Sequence, residues 1–124
     1  MIKYVDHVAV TVKDVEKSVL FYDKIGFKVI RKLDSDTMKI VFVGNGLAEL
    51  ELFEPKKGAN AISPLGELET GIKHIAFHVD NIDTAVKEFE ENGIKFTTEI
   101  RRRGDRANIF FSDPDGTVLQ LLQG

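Results

Sequence analysis

The chain has 124 residues, 43% of them hydrophobic and 30% charged, and 17 basic against 20 acidic side chains leave a net charge of −3. That size allows one domain or two very small modules. The composition excludes a disordered chain, the apolar runs are too short for a membrane span, and the charge excludes a general nucleic-acid-binding surface. With no cysteine there is no disulfide framework, thiolate zinc site or thiol nucleophile, so a metal must be held by His, Glu, Asp or Gln. MIKYVDHVAV is not a secretory signal, and the expected compartment is the cytoplasm.

HVAVTV, from His7, alternates apolar and polar residues as a half-buried strand does. Lys13-Asp14 breaks it and can cap a helix, and Val15, Val19, Phe21 and Tyr22 recur at helical spacing. Gly26 ends that helix. Strands are expected at about Lys28–Leu33, Met38–Val43 and Ala48–Phe53, with a turn at Asn45-Gly46. A connector of about residues 55–71 follows.

The second half then repeats the first. HIAFHV from His74 is a strand, and Asp80-Asn81 is a cap. Ile82, Ala85, Val86 and Phe89 mark a helix that stops at Gly93. Strands are expected at about Lys95–Arg101, Ala107–Ser112 and Thr117–Leu122, with Asp113-Pro114-Asp115-Gly116 as the turn before the last. Laid without a gap, DHVAVTVKDVEKSVLFYDKIGFKV from Asp6 lies over KHIAFHVDNIDTAVKEFEENGIKF from Lys73. His7 falls on His74, Ala9 on Ala76 and Gly26 on Gly93. LELFE from Leu50 lies over LQLLQ from Leu119, which sets Glu51 on Gln120. Such agreement is the mark of a duplication. It gives an α+β chain of two βαβββ modules, about residues 1–54 and 72–124.

One helix covers only one face of each module's sheet. Two modules are therefore expected to form a curved eight-stranded mixed sheet around a cavity, with the helices outside. Side-chain alternation turns Val8, Val10 and Val12 to the helix and His7, Ala9 and Thr11 to the open face. In the second module His74, Ala76 and His78 face the opening. Leu50 and Leu52 flank an open-facing Glu51, as Leu119 and Leu121 flank Gln120.

His7, Glu51, His74 and Gln120 thus occupy equivalent places on a concave surface, where polar groups need water or a ligand to satisfy them. A strand-borne histidine is more often a satisfied polar residue than a ligand, but two at repeat-equivalent positions beside a carboxylate favour a ligand set. Two imidazoles, one carboxylate and one amide suit a divalent ion such as Ni, Co, Zn, Mn or Fe. Glu49 shares the parity of Glu51 and is an alternative ligand. His78 lies ~13 Å along its strand from His74, too far for a common ion, and is a substrate contact at most. Arg101, Arg102, Arg103 and Arg106 form a basic cluster at a strand end. It is either a solvated hairpin tip or a receptor for a carboxylate or phosphate, with Arg101 and Arg103 the candidate contacts.

The segments DHVAVTVKDVEKSVLFYDKIGFKVI, LELFEP, GIKHIAFHVDNIDTAVKEFEENGIKF and DPDGTVLQLLQ together resemble the vicinal oxygen chelate superfamily. That superfamily contains glyoxalase I, methylmalonyl-CoA epimerase, extradiol dioxygenases and the fosfomycin- and bleomycin-resistance proteins. The resemblance spans nearly the whole chain. It implies a single domain of residues 1–124 with paired modules around a metal cavity, often completed in a homodimer. His7, Glu51, His74 and Gln120 match the family's metal ligands. The implied activity is a glyoxalase I-like lyase or isomerase acting on a small α-hydroxycarbonyl or hemithioacetal substrate, such as a thiol adduct, through a metal-stabilised enediolate. The departure is Gln120, where the family usually has Glu. An amide cannot take a proton at neutral pH, which leaves Glu51 as the candidate base. The same departure keeps a non-catalytic, bleomycin-resistance-like binding protein open. A metal-dependent epimerase or transferase of the same superfamily is a further alternative, although Gln120 counts against transfer or oxygen chemistry, whose sites carry Glu at that place.

Overall fold

The computed structural model describes residue 1, residues 3–56, residue 72 and residues 74–124. The connector of about 55–71 lies almost wholly outside the described residues. The chain divides into two compact units, Met1–Pro64 and Leu65–Gly124. Each has the order βαβββ.

In the first unit, β1 (Val8–Thr11), α1 (Val15–Lys24), β2 (Lys28–Asp34), β3 (Met38–Gly44) and β4 (Glu49–Pro55) build a four-stranded mixed sheet in the order β1-β4-β3-β2. β1 and β4 are parallel, with Ala9 opposite Glu51, and β4 pairs antiparallel with β3, setting Phe42 opposite Glu51. The second unit repeats this with β5 (His74–His78), α2 (Ile82–Glu91), β6 (Arg101–Arg103), β7 (Arg106–Ser112) and β8 (Val118–Gln123), in the order β5-β8-β7-β6. Here Ala76 and Phe110 flank Gln120 in the register. No helix among the described residues is long and apolar enough to cross a membrane.

Helix starts follow from the caps. Asp14 accepts from the N–H of Lys17 at 3.1 Å and Asn81 from that of Thr84 at 2.9 Å, each relieving an orphan donor. A second clasp comes from the last strand of each unit. Glu54 Oε1 accepts from Val15 N at 3.0 Å, and its repeat partner Gln123 accepts through Oε1 from Ile82 N at 2.8 Å. At their far ends both helices stop at glycines with positive φ, 100° at Gly26 and 85° at Gly93, a backbone region that a side chain would strain.

The cores lie on the helix side of each sheet. Val10, Val12, Leu50, Leu52 and Tyr22 are buried in the first unit, and Ile82, Ile109, Phe111, Leu119 and Leu121 in the second. This is the alternation expected from the sequence.

One expected element is corrected. The strand at about Lys95–Arg101 is absent, and only Arg101–Arg103 pairs as β6, preceded by an isolated bridge from Phe96 to Phe111. Threonine chemistry explains the break. Thr97 donates to Phe110 O from both its N–H (2.8 Å) and its hydroxyl (3.2 Å), while the Thr98 hydroxyl accepts from Phe110 N at 3.1 Å. Side-chain bonds thus replace ladder bonds. The Phe96 ring meanwhile packs against Phe89 and Phe111, with centroids 6.2 and 5.5 Å away.

Candidate metal centre

His7 sits just before β1, on the face that α1 leaves open. Its Nε2 lies 3.1 Å from Glu51 Oε2, and its Nδ1 lies 2.8 Å from Asp6 Oδ2. A carboxylate on one ring nitrogen fixes the imidazole's tautomer and orientation and directs the other nitrogen at a ligand or ion, as in many metal sites. The Phe42 ring meets His7 edge-on at 5.4 Å and holds its plane. Glu51 is one-fifth exposed, so the pair is reachable from solvent yet partly desolvated.

Unit two repeats the setting. His74 meets Phe110 edge-on at 5.6 Å, and Phe110 is the register partner of Gln120 as Phe42 is of Glu51. His74 and Gln120 therefore occupy the same local places as His7 and Glu51, with an amide where the first unit has a carboxylate.

The remaining expected residues divide. Glu49 is held by Arg31, with Nη1 3.3 Å from Oε1 and the guanidinium 3.9 Å above the Phe42 ring. Glu51, unlike Glu49, is directed at the imidazole. Arg101 and Arg103 line an open pocket of about 540 Å³ in unit two, together with Arg102, Arg106, Asn108, Gln120 and Leu122. His78 ends β5 exposed, with Nε2 3.8 Å from Asp80 Oδ1, and does not line that pocket.

One carboxylate cluster was not singled out from the sequence. Asp14, Glu16 and Glu54 bring oxygens within 4.8 Å of one another at the start of α1. Two of them cap the helix, and Lys39 lies 3.6 Å from Glu54 and 3.9 Å from Glu16, which offsets part of the negative charge.

The pKa of His7 is raised above its ordinary 6.5. The hydrogen bond that His7 donates to the Asp6 carboxylate is the largest cause, desolvation opposes it, and the Glu51 charge adds to the rise. Folding thus favours the protonated ring. The stability this contributes is complete below the unfolded value of 6.5 and is lost as pH rises through the higher folded value. In metal-free protein, NMR titration of the His7 ring should give a midpoint above 6.5. Asp6→Asn should lower that midpoint more than Glu51→Gln does. A wild-type midpoint at or below the ordinary value would contradict the pairing.

The model of the Glyoxalase/Bleomycin resistance protein/Dioxygenase superfamily matches residues 4–121. The chain belongs to that superfamily. It is 35% identical to the uncharacterized protein YwkD of Bacillus subtilis, covering 99% of this chain and 98% of that one. It is 30% identical to the lactoylglutathione lyase of Schizosaccharomyces pombe, covering 95% of this chain but only 44% of the yeast protein. Among solved structures, a glyoxalase family protein from Enterococcus faecalis superposes with a TM-score of 0.82 at 28% identity, covering 98% of each chain. The superfamily includes lactoylglutathione lyases, methylmalonyl-CoA epimerases and fosfomycin resistance proteins, and its members typically use divalent metals. The paired βαβββ units are the architecture expected of it.

Proposed function

We propose that this protein is a metal-dependent lyase or isomerase of glyoxalase I type, acting on a small α-hydroxycarbonyl or hemithioacetal substrate. The observation that carries it is the Glu51 carboxylate 3.1 Å from His7 Nε2, with the imidazole held from behind by Asp6. The donor set of His7, Glu51, His74 and Gln120 suits a divalent ion of the Ni, Co, Zn, Mn or Fe kind. Such an ion supplies Lewis-acid polarisation of the substrate's oxygens. Glu51 is the base, removing the proton from the carbon beside the carbonyl and returning it to the former carbonyl carbon, while the hydroxyl proton passes from the first carbon's oxygen to the second's. Gln120 cannot share that work, because an amide takes no proton at neutral pH. The protein works as a cytoplasmic homodimer on its small-molecule substrate.

The test is metal reconstitution followed by an assay with methylglyoxal and a thiol. Tight binding of nickel or zinc with thiol-dependent isomerisation supports the assignment. Less than about a tenth of an equivalent of metal after reconstitution defeats it, since a site assembled from these donors binds a divalent ion well.

Gln120→Glu adds a second carboxylate to the set. Affinity for nickel and zinc should rise by about 1–3 kcal/mol, because an anionic oxygen outbinds an amide. Turnover should change little or fall if Glu51 alone is the base, and rise if the natural chain lacks a competent base. Titration of both proteins with both ions, each followed by the assay, separates these outcomes. Unchanged affinity removes Gln120 from the ligand set.

The runner-up is a metal-free binding protein of the bleomycin-resistance kind, favoured by the neutral residue at position 120. Drug binding unaffected by EDTA is its mark.

A further inference from the structure

The arginine pocket of unit two carries a charge arrangement that folding alone does not explain. β6 and β7 are joined by the two-residue turn Gly104-Asp105, with φ of 60° at Gly104, the glycine position of a type II′ hairpin. That turn puts Arg103 directly opposite Arg106, and Arg101 opposite Asn108. Like charges facing each other across a ladder are destabilising. The neighbouring Arg102, which also lines the pocket, has its charge engaged by Asp83. Among the described residues, Arg101, Arg103 and Arg106 have no such ion pair, and no carboxylate lines their pocket. The remaining walls are Arg102, the amides of Asn108 and Gln120, and the apolar Leu122.

We infer that this pocket receives an oxyanion, a carboxylate or phosphate-type group, carried on the substrate of the proposed reaction. Arginine's planar fork matches both groups with paired, charge-assisted hydrogen bonds. A bound anion also relieves the repulsion between Arg103 and Arg106. The Gln120 side chain, which lines the same pocket, then has a reason to be neutral. Its amide N–H can donate to the anion, whereas a carboxylate at this place would pair with the arginines and exclude it. The assignment of the anion to the substrate rests on the proposed function, but the anion site itself does not.

The test uses chelator-treated, metal-free protein titrated separately with inorganic phosphate and with acetate. NMR follows the arginine Nε–H groups and the Gln120 side-chain amide. Saturable shifts at both are expected. Arg103→Gln and Arg106→Gln should each weaken binding about tenfold, the size of one lost charge-assisted contact, and Gln120→Glu should weaken it similarly. Lys87→Gln, which removes a like charge from the exposed face of α2 outside the pocket, should stay within about twofold of wild type. Stronger binding of phosphate assigns a phosphate-type group, and equal or stronger binding of acetate assigns a carboxylate. The site is overturned if neither anion gives a saturable shift, or if Lys87→Gln costs as much as Arg103→Gln. Since no metal is present, such a failure leaves the metal assignment standing. A protein that binds phosphate but no divalent ion defeats the metal assignment alone.

Discussion

Glu51→Gln should lower thiol-dependent isomerisation of methylglyoxal by about 10²- to 10⁴-fold, the range spanned by positioned general bases. Glutamine keeps the shape and an oxygen ligand but loses both the negative charge and the capacity to take a proton. Because the proposed ligand set includes Glu51, turnover must be compared at saturating metal, so that a loss in affinity is not mistaken for a loss in proton transfer. Glu49→Gln is the matched control. That carboxylate lies in the same strand, two residues away, but is engaged by Arg31. Its variant should keep turnover near that of the wild type. Equal losses in the two variants would remove Glu51 from the base role.

The second large effect is structural. Leu52 and Leu121 are repeat partners, each essentially without solvent exposure. Leu52 lies in register with Val10 and Val41, and Leu121 with Phe77 and Ile109. Truncation to alanine at either place leaves a void that close-packed neighbours fill only partly, so each should cost about 2–5 kcal/mol. That is a large fraction of the stability of a small domain. Urea unfolding of the two variants measures it directly. A loss below about 1 kcal/mol would mean that the strand faces were assigned wrongly, since such small losses belong to surface sites.

The duplication made most of the fold readable in the sequence. His7 with His74, Gly26 with Gly93 and the capping residues Asp14 and Asn81 stand at matching places, and the glycines and the caps do the same work in each unit. Parity along β4 and β8 likewise placed Glu51 and Gln120 opposite the buried leucines. What escaped depends on partners remote in sequence. Nothing local tells that Glu54 and Gln123 reach back to the first helical N–H groups. Nor does parity separate Glu49 from Glu51, because the difference lies in Arg31 on another strand. The lost strand before Arg101 has a local cause, the Thr97-Thr98 pair, whose hydroxyls compete with the ladder in a way that strand propensity does not register.

The parallel pairing of β1 with β4 bears on how the histidine–carboxylate pair comes into being. Its two members are separated by roughly forty residues of chain, a loop whose closure entropy must be met before their strands can dock. The contact is therefore among the most non-local in its unit, and high contact order slows folding. It is also the least able to persist in a half-formed chain. The amides that bridge the two strands should exchange with deuterated solvent only through near-global opening, while the ends of the helices exchange by fraying. The histidine and the carboxylate thus meet only once the unit has closed, and a nascent or damaged chain that has not folded presents no assembled histidine–carboxylate pair.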